Sequence, residues 1–252
     1  MTTLTSTDLQ FVAMRIPSDV RALMKRHNLF LAGGFIRATI AGEKPADIDL
    51  FGKDEATLKL AAAELSGERK GRVHTTQNAL TVLTPMRVPV QFITRWLFDN
   101  AYTLSKSFDF TVAQAVIYWE PECQPQAPNE KFVPAHWASA CHPEFYADLA
   151  ARRLVYTSPA RNEDAGGSLL RVRKFLAKGY NIQAPSLAAV IARLMEGVDM
   201  QKVAEKLTTA THTHEQALAA VIEAKLREVD PLVILDGMQI VDEHEPLTEG
   251  VG

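Results

Sequence analysis

The chain has 252 residues, 47% of them hydrophobic and 23% charged, with a formal net charge of −3 at pH 7. These values exclude a disordered or fibrous chain and leave room for one large domain or two modest ones. They also exclude attraction to nucleic acid by overall charge, so such a partner requires a local basic surface.

The segment from Ser6 to Asn28 has helical spacing, interrupted or restarted at Pro17, with Ser18 and Asp19 offering a cap. "LFLAGG" (29–34) reads as a short buried strand ending in a glycine turn. "FIRATIAG" (35–42) reads as a short helix that Gly42 can close, and "ADIDLFG" (46–52) as the next strand. "DEATLKLAAAELSGE" is rich in helix formers, and "NALTVLT" and "VPVQFITRW" read as strands joined by "PMR". A mixed sheet with helices on one side follows. The stretch from Asp99 to Trp119 does not resolve by pattern into loop, helix or strand. "EPECQPQAPNEKFVP" is rich in proline and polar residues and reads as an exposed connection, after which the chain turns helical. Helices are expected over "HPEFYADLAARRL", "GGSLLRVRKFLAKGYNI", "APSLAAVIARLMEG" and "MQKVAEKLTTATHTHEQALAAVIEAKLREVD", with "HEPLTEGVG" as a loose tail.

Cys123 and Cys141 are the only cysteines, without the close pairing of a zinc ribbon or a redox CxxC, which fits a reduced setting. No basic start leads into an apolar run, and no stretch is apolar for long enough to span a bilayer. A soluble cytoplasmic protein with no membrane partner is therefore expected.

Asp47 and Asp49 alternate with Ile48 and Leu50, so a strand would project both carboxylates from one face and bury the aliphatic pair on the other. Two acids at that spacing repel unless a cation sits between them, and Mg2+ (or Mn2+) takes oxygen ligands shared with substrate phosphates. Gly33 and Gly34 allow the backbone to pass close to a bulky anion. The free N–H groups of the following helix would point at it, and Arg37 could add a charged fork. Taken singly, a GG turn is a tight turn and a DxD pair a solvated strand end about two times in three. The ordered combination is far more specific.

"LAGGFIRATIAGEKPADIDLF" resembles the head of the nucleotidyltransferase superfamily that includes DNA polymerase beta, and within it tRNA nucleotidyltransferases (CCA-adding enzymes) and poly(A) polymerases. "FDFTVAQAV", "DLAARRLVYTSP", "LLRVRKFLAKGYNI" and "APSLAAVIARL" extend the likeness over roughly residues 28 to 195. The resemblance implies an α+β fold: a nucleotidyltransferase head with a mixed β-sheet flanked by helices, then an all-helical neck and C-terminal domain. The expected boundaries are 1–120 for the head, 121–140 for the connecting segment and 141–252 for the helical part.

By the same resemblance, Asp47 and Asp49 are the catalytic, metal-binding acids. Gly33 and Gly34 hold the triphosphate with Arg37, and Asp109 sits on the ribose side. The neck carries Arg152, Arg153, Arg161, Arg171, Arg173, Lys174 and Lys178 against Glu163 and Asp164. Arg171, Lys174 and Lys178 recur along one helical face that suits nucleotide or RNA phosphates, with a solvated face as the even alternative. The implied activity is metal-dependent, template-independent transfer of a nucleoside monophosphate from a nucleoside triphosphate to an acceptor hydroxyl. A tRNA-like RNA 3′ end is the leading acceptor; a protein side chain or a small molecule would serve the same chemistry.

Three positions depart from the family pattern. Gln91 stands where a third metal-binding carboxylate is expected, and an amide offers a carbonyl oxygen but no charge and no base. Ser107 and Phe108 replace paired arginines, and Ala113 replaces an asparagine. Asp164, Ala165 and Ser168 stand where an acidic-then-arginine motif selects the base, so base selection of the CCA type is not expected. Gln91 supports a second reading: a catalytically inactive nucleotidyltransferase fold that binds nucleotide, RNA or a protein assembly. His212 and His214, and the group His136, Cys141 and His142, are read as ordinary surface or packing residues, and Trp96, Trp119 and Trp137 as packing rather than base-stacking residues.

Overall fold

The computed structural model describes residues 1–124, 132–159, 165–209 and 213–229. The chain divides into two compact units, meeting in sequence at Ala151 and Arg152. Arg161, Glu163, Asp164, His212, the expected tail and the middle of the proline-rich connection lie outside the described residues.

The first unit begins with α1 (Ser6–Arg15) and α2 (Ser18–His27). Thr5 caps α1 by accepting from the Asp8 N–H, Pro17 separates the helices, and Asn28 ends α2 in the left-handed region at φ 51°. Then follow β1 (Phe30–Ala32), α3 (Gly34–Ile40), β2 (Ile48–Phe51) and α4 (Glu55–Arg69), the last capped by Asp54 at 2.7 Å from the Thr57 nitrogen. The unit continues with β3 (Arg72–Thr75), β4 (Ala79–Leu83), β5 (Val90–Ile93), α5 (Ala101–Lys106), a 3-10 turn (Thr111–Ala113), β6 (Ala115–Glu120), β7 (His136–Cys141) and α6 (Phe145–Ala150).

The seven strands form one mixed sheet in the order β3-β4-β5-β2-β1-β6-β7, antiparallel except for the central β2–β5 pair. Strand periodicity divides the sheet into two faces. Leu31, Ile48, Leu50, Val82, Val90, Phe92 and Ile117 are fully buried on one, covered by α2 and α4, which contact β4, β5 and β6. On the other, Ala32, Phe51, Ala79, Ile93 and Val116 pack against Ala101 and Leu104 of α5. Helices therefore flank both faces rather than one, and the unresolved stretch after Asp99 becomes a helix, a 3-10 turn and a strand.

The first unit extends past the expected boundary at residue 120, because β7 pairs with β6 from Cys141 to His136 and α6 packs on the 3-10 turn. The edge strand β3 and the strand β7 were not expected. All four β3 residues are exposed, so no apolar alternation marks them, and "HWASAC" is short of β-formers.

The second unit holds β8 (Arg153–Leu154), α7 (Ala165–Ala177), β9 (Asn181–Ile182), α8 (Ala184–Glu196), α9 (Met200–Thr209) and α10 (His214–Val229). It is helical apart from the short parallel pair β8–β9. Gly179, at φ 81°, turns the chain out of α7. Tyr180 then packs on Phe175 at 5.1 Å between ring centroids. The long helix expected from Met200 onward is two helices, whose cluster is built from Val198, Val203, Ala217 and Val221.

Candidate active site

The site is built where β1 runs into α3. Gly33 has φ 77° and ψ −123°, a conformation that side chains strongly disfavour, and its N–H donates to the Ala115 carbonyl at 3.1 Å. A Cβ there would also lie 3.1 Å from the Phe108 ring. Both the turn and the close approach therefore require glycine. At Gly34 a Cβ would sit 4.0 Å from Asp47 Oδ1 and 3.9 Å from Arg37 Nη2, so the carboxylate and the guanidinium lie against the same point of the turn. Arg37 is itself buried. α3 has only seven residues, so its dipole is small and Arg37 is the stronger positive element beside the turn.

Asp47 immediately precedes β2 and Asp49 lies within it, flanked by the fully buried Ile48 and Leu50. Asp47 and Asp49 are 7% and 8% exposed, so they are not at a solvated strand end. Asp49 is the in-register neighbour of Gln91 across the parallel β2–β5 pair, and Gln91 is the in-register neighbour of Thr81 on β4. Each stands two residues from a member of the α5-covered cluster: Phe51, Ile93 and Ala79. A polar row, Thr81–Gln91–Asp49, thus crosses that face of the sheet. Gln91 is 1% exposed, and its Oε1 accepts no hydrogen bond from the described residues.

Two carboxylates and an amide oxygen form a hard, oxygen-only donor set, which fits a small divalent cation such as Mg2+. Among the described residues no group of three or more His, Cys, Asp or Glu could hold a metal, so the acidic contribution stops at Asp47 and Asp49.

Asp109 is 3% exposed and lies between α5 and the 3-10 turn. Its neighbour Phe108 walls the glycine turn and meets Phe51 edge-on at 6.0 Å. The segment is held by Gln114 Nε2, which donates to the Phe108 carbonyl at 2.7 Å, and by the buried Thr111 hydroxyl, which donates to Asp148 at 2.6 Å. Sequence reasoning missed Thr81 and Asp148. Phe108 was visible only as a departure from an arginine; its place against Gly33 relates distant segments and left no signal in the sequence.

Arg171 and Lys174 belong to α7 of the second unit. The Arg171 guanidinium folds back along its own helix, 3.5 Å from where a Gly167 Cβ would sit. Lys178 lies just past the helix, where its carbonyl accepts from Arg152 Nη1 at 2.7 Å.

The aromatic and cysteine positions have other work. Trp119 and Trp137 are cross-strand partners at 5.2 Å, with Lys25 Nζ 3.6 Å over Trp119. Trp96 packs against the α5-covered cluster. Burial pushes the Cys141 thiol up to about 11, which keeps it protonated, and lowers the pKa of His142. His136 is exposed and bonded to the Pro134 carbonyl.

Solved structures similar to this chain include CCA-adding enzymes. The Thermotoga maritima enzyme complexed with tRNA matches at a TM-score of 0.53 and 14% identity, over 90% of this chain and 56% of that one. A CCA-adding enzyme complexed with ATP matches at 0.52 and 15%, over 87% and 52%. The fold is thus similar to that of these CCA-adding enzymes, and the chain spans somewhat over half their length. No helix among the described residues is long and apolar enough to cross a membrane. Among curated proteins, Gabija anti-defense 2 of Bacillus phage SPbetaL7 is 24% identical over 175 residues, 69% of this chain but 39% of that protein. Residues 4–152, more than half of the chain and nearly the whole first unit, match the profile of the Gabija anti-defense 2 family. The chain belongs to the Gabija anti-defense 2 family, and its fold is similar to that of CCA-adding enzymes.

Proposed function

We propose that the chain is a nucleotidyltransferase that moves a nucleoside monophosphate from a nucleoside triphosphate to an acceptor hydroxyl, with a tRNA-like RNA 3′ end as the acceptor. The observation that carries this reading is the meeting of Arg37 and Asp47 beneath Gly34, with Asp49 buried one strand repeat away. The glycine turn lets the triphosphate approach the backbone, and Arg37 offsets its charge. Asp47 and Asp49 would hold Mg2+ or Mn2+, which when bound neutralises phosphate charge and eases ionisation of the attacking hydroxyl. Asp109 orients the ribose. The hydroxyl oxygen bonds to the α-phosphorus, the bond from that phosphorus to the bridging oxygen breaks, and pyrophosphate leaves while the hydroxyl proton passes to solvent. Arg171 and Lys174 bind phosphates in the second unit. Occurrence in a Gabija anti-defense family supports a biological role in countering that defence, exercised through nucleotidyl transfer.

A second reading, a fold that binds nucleotide without turnover, is favoured by Gln91. The two separate when each labelled nucleoside triphosphate is incubated with the protein, total cellular RNA and protein, and Mg2+ or Mn2+. Label moved by the wild type and not by the Asp47→Ala/Asp49→Ala variant supports transfer. Triphosphate bound without any label moved supports the binding reading. In cells carrying the Gabija defence, phage growth rescued by the wild type but not by the double variant ties the role to this site.

A further inference from the structure

Resting on the triphosphate reading of the glycine turn, we propose that this face of the sheet takes one divalent cation rather than a pair, with the Gln91 amide oxygen as a neutral ligand beside the carboxylates of Asp47 and Asp49. The first support is position. Gln91 is in register with Asp49 on the adjacent parallel strand, and neighbouring strands stand about 4.8 Å apart with in-register side chains on the same face. The amide therefore sits beside the Asp49 carboxylate. Among the described residues neither Thr81, on its other side, nor any other group donates to it. A carbonyl oxygen that is shut off from water and lacks a donor carries a desolvation penalty, which a cation removes.

Charge supplies the second support. Asp47 and Asp49 together provide two negative charges, which one divalent cation balances. The Arg37 guanidinium beside Asp47 adds positive charge to the same turn, which further disfavours a second cation. Among the described residues no third acid, histidine or cysteine joins the group. Gln91 thus keeps the geometry of a three-oxygen ligand set while limiting its charge.

The test counts protein-bound Mn2+ by electron paramagnetic resonance, with and without α,β-methylene ATP, in the wild type, Gln91→Met and Gln91→Glu. The wild type is expected to bind one ion per chain. Gln91→Met keeps the side-chain shape but loses the oxygen, and should bind it about tenfold more weakly. Gln91→Glu should bind two ions and gain a larger Mn2+-dependent rise in melting temperature than the wild type. Two ions on the wild type, none at all, or equal affinity in Gln91→Met would overturn the proposal. So would a folded Gln91→Glu that still takes one ion. If Gln91→Glu does not fold, Gln91→Met decides through its affinity. A wild type that binds one ion as expected yet moves no label would leave this ligand set standing and overturn only the transfer reading.

Discussion

The two faces of the central sheet are built from the same strands and do opposite things. On one, Leu50, Phe92 and Ile48 are fully buried under helices. On the other, one residue away along each strand, Asp49 and Gln91 are almost as deeply buried and polar. Burying apolar side chains stabilises the fold by about 1.5–3 kcal/mol each, whereas a buried acid costs stability unless a partner offsets it. The comparison teaches that the first face is apolar throughout, whereas the second combines the apolar cluster under α5 with the polar row proposed above as the site. Substitutions on the two faces should therefore separate folding from function.

The largest effect is expected from removing both acids. Asp47→Ala/Asp49→Ala should lower nucleotidyl transfer by about a thousandfold or more, while metal-free urea unfolding stays within about 1 kcal/mol of the wild type, since like-charge repulsion is relieved as contacts are lost. On the opposite face, Phe92→Ala should cost about 3–5 kcal/mol in the same unfolding measurement, because the site sits in a fully buried layer that cannot collapse onto the space. Loss of transfer in proportion to stability for both variants would erase the distinction between the faces.

Gly33→Ala joins the two effects. Its positive φ and the Phe108 ring 3.1 Å from the added carbon should cost about 1 kcal/mol or more in stability. Triphosphate affinity should fall in a binding titration, because the turn must shift.

A smaller effect belongs to the helical layer on the first face. The side-chain hydrogen bond from Arg69, whose guanidinium lies 2.8 Å from Asp19, holds the Asp19 carboxyl below its ordinary value of 3.8 despite partial burial. A depressed folded-state pKa contributes stability that is fully present above the ordinary value and lost as pH falls through the folded one. Melting curves between neutral pH and about pH 3 should therefore drop less steeply for Asp19→Asn than for the wild type. Transfer at neutral pH should be retained in that variant to the extent that it remains folded.

How far the site could be read from sequence follows from the same two faces. Asp47 and Asp49 stand out because they break an aliphatic strand at period two, and Gly33 and Gly34 because a double glycine between strand and helix has a backbone reason. The mixed sheet, the separation of α1 from α2 at Pro17 and the helical second unit were legible for similar reasons. β3 was not, since a strand with four exposed residues leaves no hydrophobic pattern. Nor was β7, whose small residues fit many states. Thr81 was hidden because its importance depends on register with Gln91, a relation between distant segments. The place of Phe108 against Gly33 was hidden for the same reason.

The central claim is most directly tested with one nucleoside triphosphate labelled in two ways, at the α-phosphate and at the γ-phosphate, each incubated with the protein, Mg2+ and RNA. Nucleotidyl transfer predicts that α-label appears on the acceptor, γ-label is released as pyrophosphate, and both movements vanish in the Asp47→Ala/Asp49→Ala variant. Movement of the γ-label onto the acceptor, or α-label transfer that survives the double variant, would contradict the account.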